Sequence, residues 1–345
     1  MTSALLEQDV EATDADRDVR GGTSFWRYAG RKAGGAAFSL VMVVVLGFFA
    51  FRILPGDPTR SMTRGRIMSP EQLETLKRQF GLDEPLHTQF WIYLKNLPRL
   101  DFGESYVYRR PVSDLIAEHL GATLLLTGVS AAIAIALGLW IGQRAAWRRG
   151  SWFDRLNTGS ALVLWSVPTF WLGLILLLVF GGMLHWLPTG GLKTAGTTAT
   201  GIPLVWDVIR HMIMPVVTLV AVTYAQYLLV MRASLLEEMH ADYLTTARAK
   251  GLREDLVRRR HAVPNALLPT VTLVFLHLGG LIAGAVTVEA IFSWPGLGYL
   301  TYAALSGPDL PLLQGTFVVF SSIVILMNLA ADLLYRFLDP RVRAA

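Results

Sequence analysis

The sequence predicts an all-α membrane protein with six transmembrane helices. Three observations carry that reading. The chain of 345 residues is 53% hydrophobic and only 17% charged, where a soluble domain has about 45–50% apolar and about 25% charged residues. Its apolar residues sit in blocks of roughly 20, the length a helix needs to cross about 30 Å of hydrocarbon. Arginine and lysine crowd into alternate loops, as the positive-inside bias requires of a multi-pass chain. The mean hydropathy of +0.44 agrees. The same bias accounts for the net charge of +5, so no nucleic acid is expected as a partner.

Residues 1–33 read as a cytoplasmic tail, disordered through the acidic stretch "MTSALLEQDVEATDADRDVRGGTS", which has too few apolar groups to fold. No basic region leads directly into a short apolar core, so a secretory leader is not expected. The first span covers residues 34–54, "GGAAFSLVMVVVLGFFAFRIL", long enough for an uncleaved anchor. Residues 55–118 form a polar extracytoplasmic insertion with helices of its own. In "SPEQLETLKRQFGL", Ser69 is placed to cap a helix, Pro70 to open it, Gln72 to answer the cap and Gly81 to end it. A second helix in "DEPLHTQFWIYLKNLP" carries Phe90, Trp91 and Tyr93. A place at the membrane interface and simple packing on neighbouring spans both fit it.

Five further spans occupy the core of residues 119–335, at about 119–141, 156–180, 211–231, 270–291 and 313–334. The third span of the chain contains "WSVPTFWLG". Pro168 there removes a backbone donor and should bend or break the helix. Residues 181–210 read as a Gly/Thr/Pro-rich loop, and "SWPGLG", Ser293 to Gly298, as a tight turn at the outer mouth. Residues 336–345 are a short tail.

Six spans put both termini on one side, and the basic residues say which. Arg27, Arg31 and Lys32 precede span one, and Arg144, Arg148, Arg149 and Arg155 join spans two and three. Arg232, Arg248, Lys250, Arg253 and Arg258–Arg260 lie between spans four and five. The 181–210 loop holds only Lys193 and Arg210, and residues 292–312 hold none. Both termini and the loop 232–268 are therefore expected in the cytoplasm.

That loop contains "DYLTTARAKGLREDLVRRRHAVPNALLP". Leu236, Met239 or His240, Tyr243 and Ala247 recur at helical steps and share a face. Gly251 interrupts, and Leu252, Leu256, Val257 and Val263 then alternate with arginines. Two short amphipathic helices with a glycine between them fit this pattern, because Gly is unfavourable inside a helix and favoured just past its end. Pro264 and Pro269 mark the return into the bilayer. Three uses stay open on pattern alone. The loop could be an interfacial elbow with arginines on lipid phosphates. It could be a nucleic-acid patch, although it lacks aromatic stacking platforms. It could be a helix that docks in a groove of a cytosolic partner, with Ala247 and Ala249 permitting close approach.

The chain offers little for chemistry. It has no cysteine, and no two of its seven histidines lie three or four residues apart, so no helix presents a His pair to a metal. No G-x-x-x-x-G-K-[ST] stretch occurs to hold ATP phosphates. No catalytic, cofactor or metal site is expected in this chain. A carrier driven by an ion gradient, or a channel, would need ionisable groups inside the membrane. Glu289, in "AVTVEAIF", is the main candidate, and a structural or gating role is the favoured reading of it.

The loop resembles the EAA loop of bacterial ABC importer permeases. "TARAKGL" followed by "NALLP" is similar to the variant of the dipeptide, oligopeptide and nickel subfamily. "ILPGDP", "FGLDEPL", "FGES", "SVPTFWLGLILLLVF", "LPTGG", "VEAIFSWPGLG" and "DLLYRFLDPR" resemble further landmarks of that family, in family order. Two features depart from it: the long acidic N-terminal tail, and "GPDLP" in place of an Arg-Asp-aromatic-Pro run. The resemblance implies a type I ABC importer permease fold of six transmembrane helices with a helical insertion after the first. It implies a non-catalytic permease subunit in a bacterial cytoplasmic membrane, importing short peptides, or within the same family nickel or another small solute. The partners implied are a second homologous permease, two cytosolic ABC ATPase subunits that hold ATP and Mg, and an extracytoplasmic substrate-binding protein. It implies that Tyr243, Ala247, Arg248, Ala249, Gly251 and Leu252 contact an ATPase. For the translocation path the candidates are Trp165, Ser166, Pro168, Phe170, Gln226, Glu289, Pro295 and Gly296, each of which ordinary packing would also explain.

Overall fold

The computed structural model describes residues 25–53, 69–79, 81–307 and 309–338. The acidic tail, "PGDP" and the last seven residues lie outside the described residues. Helix α1 is Phe25–Ile53, α2 Pro70–Gln79, α3 Leu86–Asn96 and α4 Val112–Trp147. Then follow α5 Trp152–Ser166, α6 Thr169–Leu176, α7 Ile202–Glu238 and α8 Asp242–Ala249. The last are α9 Val263–Ile291, α10 Leu297–Ser306 and α11 Leu310–Leu338. Among the described residues there is no strand, only an isolated bridge between Glu104 and Pro111.

Helices α1, α4, α7 and α11 are each long and apolar enough to cross a membrane, and the pair α5–α6 passes the same test with a 100° bend at its break. Helix α9, at 29 residues, also has the length. The break falls where the sequence placed it. Val167 is extended, and Pro168 opens the next helix instead of continuing the last. Helix α6 then runs into a π turn over Leu177–Met183.

Two sequence expectations change. Helix α7 begins at Ile202, inside the stretch read as loop: Gly201, with φ of +63°, turns the chain and a proline follows in the first turn. The second half of the elbow is not a short helix separate from span five. A short turn, Glu254–Leu256, passes through a π turn, Val257–Ala262, directly into α9. Pro264 sits in the first turn of α9, where a missing N–H costs least, and Pro269 lies within it. The π turn is where the backbone ladder adjusts ahead of these prolines.

Helices α4 and α7 make the most extensive pairing, and α9 packs against both and against α11. The α4–α7 contact rests on Gly138 and Gly142, a glycine pair four residues apart. A Cβ on Gly138 would stand 2.5 Å from Tyr227 Cβ, and one on Gly142 2.7 Å from the Leu228 carbonyl. Only glycine admits so close an approach of two membrane helices. Leu126, Met214, Tyr227, Val288 and Trp294 form the main buried cluster between these elements.

The insertion follows its local signals. Ser69 and Gln72 exchange reciprocal hydrogen bonds at 3.1 and 3.3 Å, a complete capping box. Gly81 ends that helix at φ of +60°. Of the two positions open to α3, one edge takes the packed one: Phe90 and Tyr93 lie 5.1 and 5.5 Å from the Phe48 ring of α1. Trp91 on the other edge stays exposed. Asp309 ties the insertion to α11. It accepts from Ser105 Oγ at 2.5 Å and from the Val107 amide at 3.1 Å, while the Leu312 amide caps on its other oxygen at 3.3 Å.

Candidate functional site

Helix α8 is a short knob with a defined end. Gly251, at φ of +78°, takes the left-handed conformation that L-residues avoid. The Gly251 amide donates to the Arg248 carbonyl at 2.9 Å and the Leu252 amide to the Ala247 carbonyl at 3.3 Å. This pair of bonds satisfies carbonyls that a helix end otherwise leaves bare. Leu252 closes the cap by packing on a cluster of Met231, Leu235, Leu244, Ala247 and Val257.

The inward face of α8 is Leu244 and Ala247, 0% and 6% exposed. Ala247 therefore packs on this chain's own helices and is not on the outer surface. Tyr243, Ala249 and Gly251 are exposed, and Arg248 and Leu252 are half-buried. Arg248 pairs with Glu254 at 2.8 Å across the cap. The Tyr243 hydroxyl donates to Glu238 at the end of α7 and accepts from Asn265 Nδ2 of α9 at 3.0 Å. One phenol thus ties α8 to both helices that flank it. Burial, with the Glu238 carboxylate next, raises its pKa above the ordinary tyrosine value.

A second tie was not foreseen from sequence. Asp154, 3% exposed in the first turn of α5, accepts both arms of Arg232, Nε at 2.7 Å and Nη2 at 2.8 Å. The Gly150 amide adds a third bond at 2.9 Å. The local hint was Ser151 capping Asp154, whose amide donates to Ser151 Oγ at 3.2 Å. Arg232 was legible only as one basic residue among many.

Toward the middle of the helices lies a cavity of about 270 Å³, bounded by α6, α7 and α9. Thr169, Thr223, Gln226, Tyr227 and His277 bring polar groups to a wall otherwise of Leu219, Val222, Gly280 and Gly284. Gln226 and the residue after Pro168 meet here. Ser166 and Pro168 instead line a shallow apolar groove at the helix break, with Trp171. Trp165 and Phe170, about half exposed, border neither space.

Glu289, Pro295 and Gly296 belong elsewhere. Glu289 is fully buried and caps α10: its Oε2 accepts from the Gly298 amide at 2.7 Å and the Tyr299 amide at 3.2 Å. Thr123 of α4 accepts from the Leu297 amide at 2.8 Å, and Trp294 Nε1 donates to the Ala122 carbonyl at 2.9 Å. A Cβ on Gly296 would lie 2.5 Å from both Thr123 Oγ1 and Glu289 Cδ. The turn expected at an open mouth is a packed plug between α4 and α9, because the buried carboxylate needs the amides that the turn presents.

This arrangement has known counterparts. Residues 134–344 match the family described as binding-protein-dependent transport system inner membrane component, and residues 25–127 match its N-terminal companion. The chain is 35% identical over 318 residues to the dipeptide transport system permease protein DppB of Alkalihalophilus pseudofirmus, covering 88% of this chain and 95% of that one. It is 40% identical over 306 residues, with the same coverage, to the glutathione transport system permease protein GsiC of Pectobacterium atrosepticum. The fold matches a chain of the inward-facing MetNI methionine ABC transporter with a TM-score of 0.53 at 19% identity, covering 65% of this chain and 96% of that chain. The chain belongs to the inner-membrane permease family of binding-protein-dependent ABC importers, on the branch that holds the dipeptide and glutathione permeases.

Proposed function

We propose that this chain is one of two homologous permease subunits of an ATP-driven importer of short peptides. An extracytoplasmic substrate-binding protein delivers the peptide, and two cytosolic ATPase subunits bind ATP and Mg²⁺. The bilayer is crossed six times, by α1, α4, the broken α5–α6 pair, α7, α9 and α11, with both termini in the bacterial cytoplasm. The distribution of arginine and lysine supports that orientation. Relatives named for dipeptide and glutathione transport support a peptide substrate.

One observation carries the mechanism: α8 is a rigid, capped knob fixed from behind and exposed in front. Tyr243, Ala249 and Gly251 present the outer surface to an ATPase cleft, flanked by Arg248 and Leu252. Ala247 works from the inside, joining the knob to the core. The cavity at Thr169, Thr223, Gln226 and His277 is half of the peptide path, completed by the second permease. Amide and hydroxyl groups there suit a peptide backbone.

The Glu289 carboxylate caps α10 through Oε2, a structural role that supports ATP over an ion gradient as the driving force. Proteoliposomes holding the whole complex provide the test. Uptake of a labelled dipeptide should need ATP and both ATPases and should survive an uncoupler. Uptake driven by a pH gradient without ATPases would overturn the reading.

A further inference from the structure

Seven buried side-chain polar atoms among the described residues lack a hydrogen-bond partner, and four of them line one cavity: Arg52 Nε, Gln89 Oε1, Tyr93 OH and Gln314 Nε2. Native interiors rarely leave such groups bare, so a cluster of four calls for an occupant. The cavity, about 180 Å³, lies between the end of α1, helix α3 and the start of α11. Asp101 and Glu104 stand at its edge. Directly alongside runs a second space of about 370 Å³, lined by Leu40, Val44, Leu100, Val318 and Ile323. Phe102 is a wall of both.

We propose that these two spaces form one binding site for an ethanolamine phospholipid, its headgroup in the polar cavity and one acyl chain in the apolar groove. The charges select the headgroup. Arg52 Nε and Gln314 Nε2 are donors that suit phosphate oxygens. Gln89 Oε1, Asp101 and Glu104 are acceptors that suit an ammonium. A purely anionic headgroup would meet two carboxylates, and a choline has no N–H to give them. Burial pushes the Tyr93 phenol up to about 12, so it remains a neutral donor at any physiological pH.

The dimensions select a lipid over a free zwitterion. From Arg52 to Leu40 is twelve residues of α1, about 18 Å, and from Gln314 to Ile323 is nine of α11, about 13 Å. Half of the hydrocarbon core is about 15 Å. The two spaces together therefore cover about the depth of one leaflet. That the leaflet is the outer one rests on the proposed orientation; the site itself does not.

Native mass spectrometry of the complete complex in mild detergent, delipidated and then reloaded, tests the proposal. The probes are phosphatidylethanolamine, phosphatidylglycerol, phosphatidylcholine and a dipeptide. Phosphatidylethanolamine should rebind at one per chain. Arg52→Gln, which removes the phosphate donor, and Val319→Trp, which fills the groove, should each cut that binding at least tenfold. Arg52 also stacks over the Phe48 ring at 5.0 Å, so binding is compared on the assembled complex at a temperature below every variant's unfolding midpoint, and the readout is bound lipid, independent of transport. Equal rebinding of all three lipids, a cavity occupied by water only, or dipeptide binding that Val319→Trp leaves untouched would each overturn it.

Discussion

The glycine that ends α8 gives a graded test of the knob. Gly251 sits at φ of +78°, and nothing lies within 4 Å of where a Cβ would project. A side chain there meets no clash, so the cost is torsional. For Ala the left-handed conformation costs about 1–2 kcal/mol, and reduced freedom of the unfolded chain returns part of that. Asn tolerates the conformation and should cost little. Pro cannot adopt it, and it also deletes the amide that donates to Arg248 at 2.9 Å, adding about 1 kcal/mol for the bond and more for the distorted turn. A net loss of about 1 kcal/mol is a fivefold change in the capped population. Peptide-stimulated ATPase activity in proteoliposomes should therefore rank parent and Gly251→Asn together, then Gly251→Ala, with Gly251→Pro near zero while the permease remains inserted. Parent-like activity in Gly251→Pro would refute the capped-knob argument. Equal loss in Asn and Pro would refute it too, because bulk at the ATPase contact would then matter and the cap would not.

Asp154→Asn leaves Arg232 without its charged partner. Breaking a fully buried pair costs about 3–5 kcal/mol; with Arg232 25% exposed, we expect about 2 kcal/mol, read as a lower unfolding midpoint of the purified complex, and an unchanged midpoint would exclude a structural role for the latch. Glu289→Gln keeps an oxygen for the Gly298 and Tyr299 amides, so uptake should persist with an unaltered pH profile, whereas abolished uptake in an intact complex would restore Glu289 as a proton carrier. Tyr243→Phe removes the bonds to Glu238 and Asn265 from a side chain that is 39% exposed. Stability should barely move, but peptides imported per ATP should fall, and an unaltered ratio would show that the phenol transmits nothing.

What was legible in the sequence is what local chemistry decides. Ser69 with Gln72, Gly81, Pro168 and Gly251 each act within a few residues, and each shapes the backbone as read. Periodicity showed that Tyr243 and Ala247 lie near one side of a helix, yet it could not say which side faced the core. Leu244 and Ala247 turned inward because Met231, Leu235 and Val257 were there to receive them. The pairing of Asp154 with Arg232 spans 78 positions, and that of Thr123 with Leu297 spans 174. No local pattern carries such information. The glycines at 138 and 142 drew no reading from sequence, because their role depends on Tyr227 and Leu228 of another helix.

The two ties around α8 explain how a push on a surface knob could reach the middle of the membrane. The Tyr243 hydroxyl joins Glu238 on α7 to Asn265 on α9. From Glu238 back to Gln226 is twelve residues, and from Asn265 on to His277 is also twelve, about 18 Å along each helix. Gln226 and His277 stand on two walls of the same cavity. The knob is thus held by the ends of two equal arms whose far points border the proposed path. Arg232, halfway along the α7 arm, is clamped to Asp154 at the head of α5, so displacement of α7 also loads the broken helix that supplies Thr169. Two walls of the cavity are therefore connected to α8 through hydrogen bonds and continuous helix, and the third through the broken α5–α6 pair. A rigid displacement of α8 can change the spacing of those walls without unfolding any segment between, which is what a permease must do to open on one side and then the other.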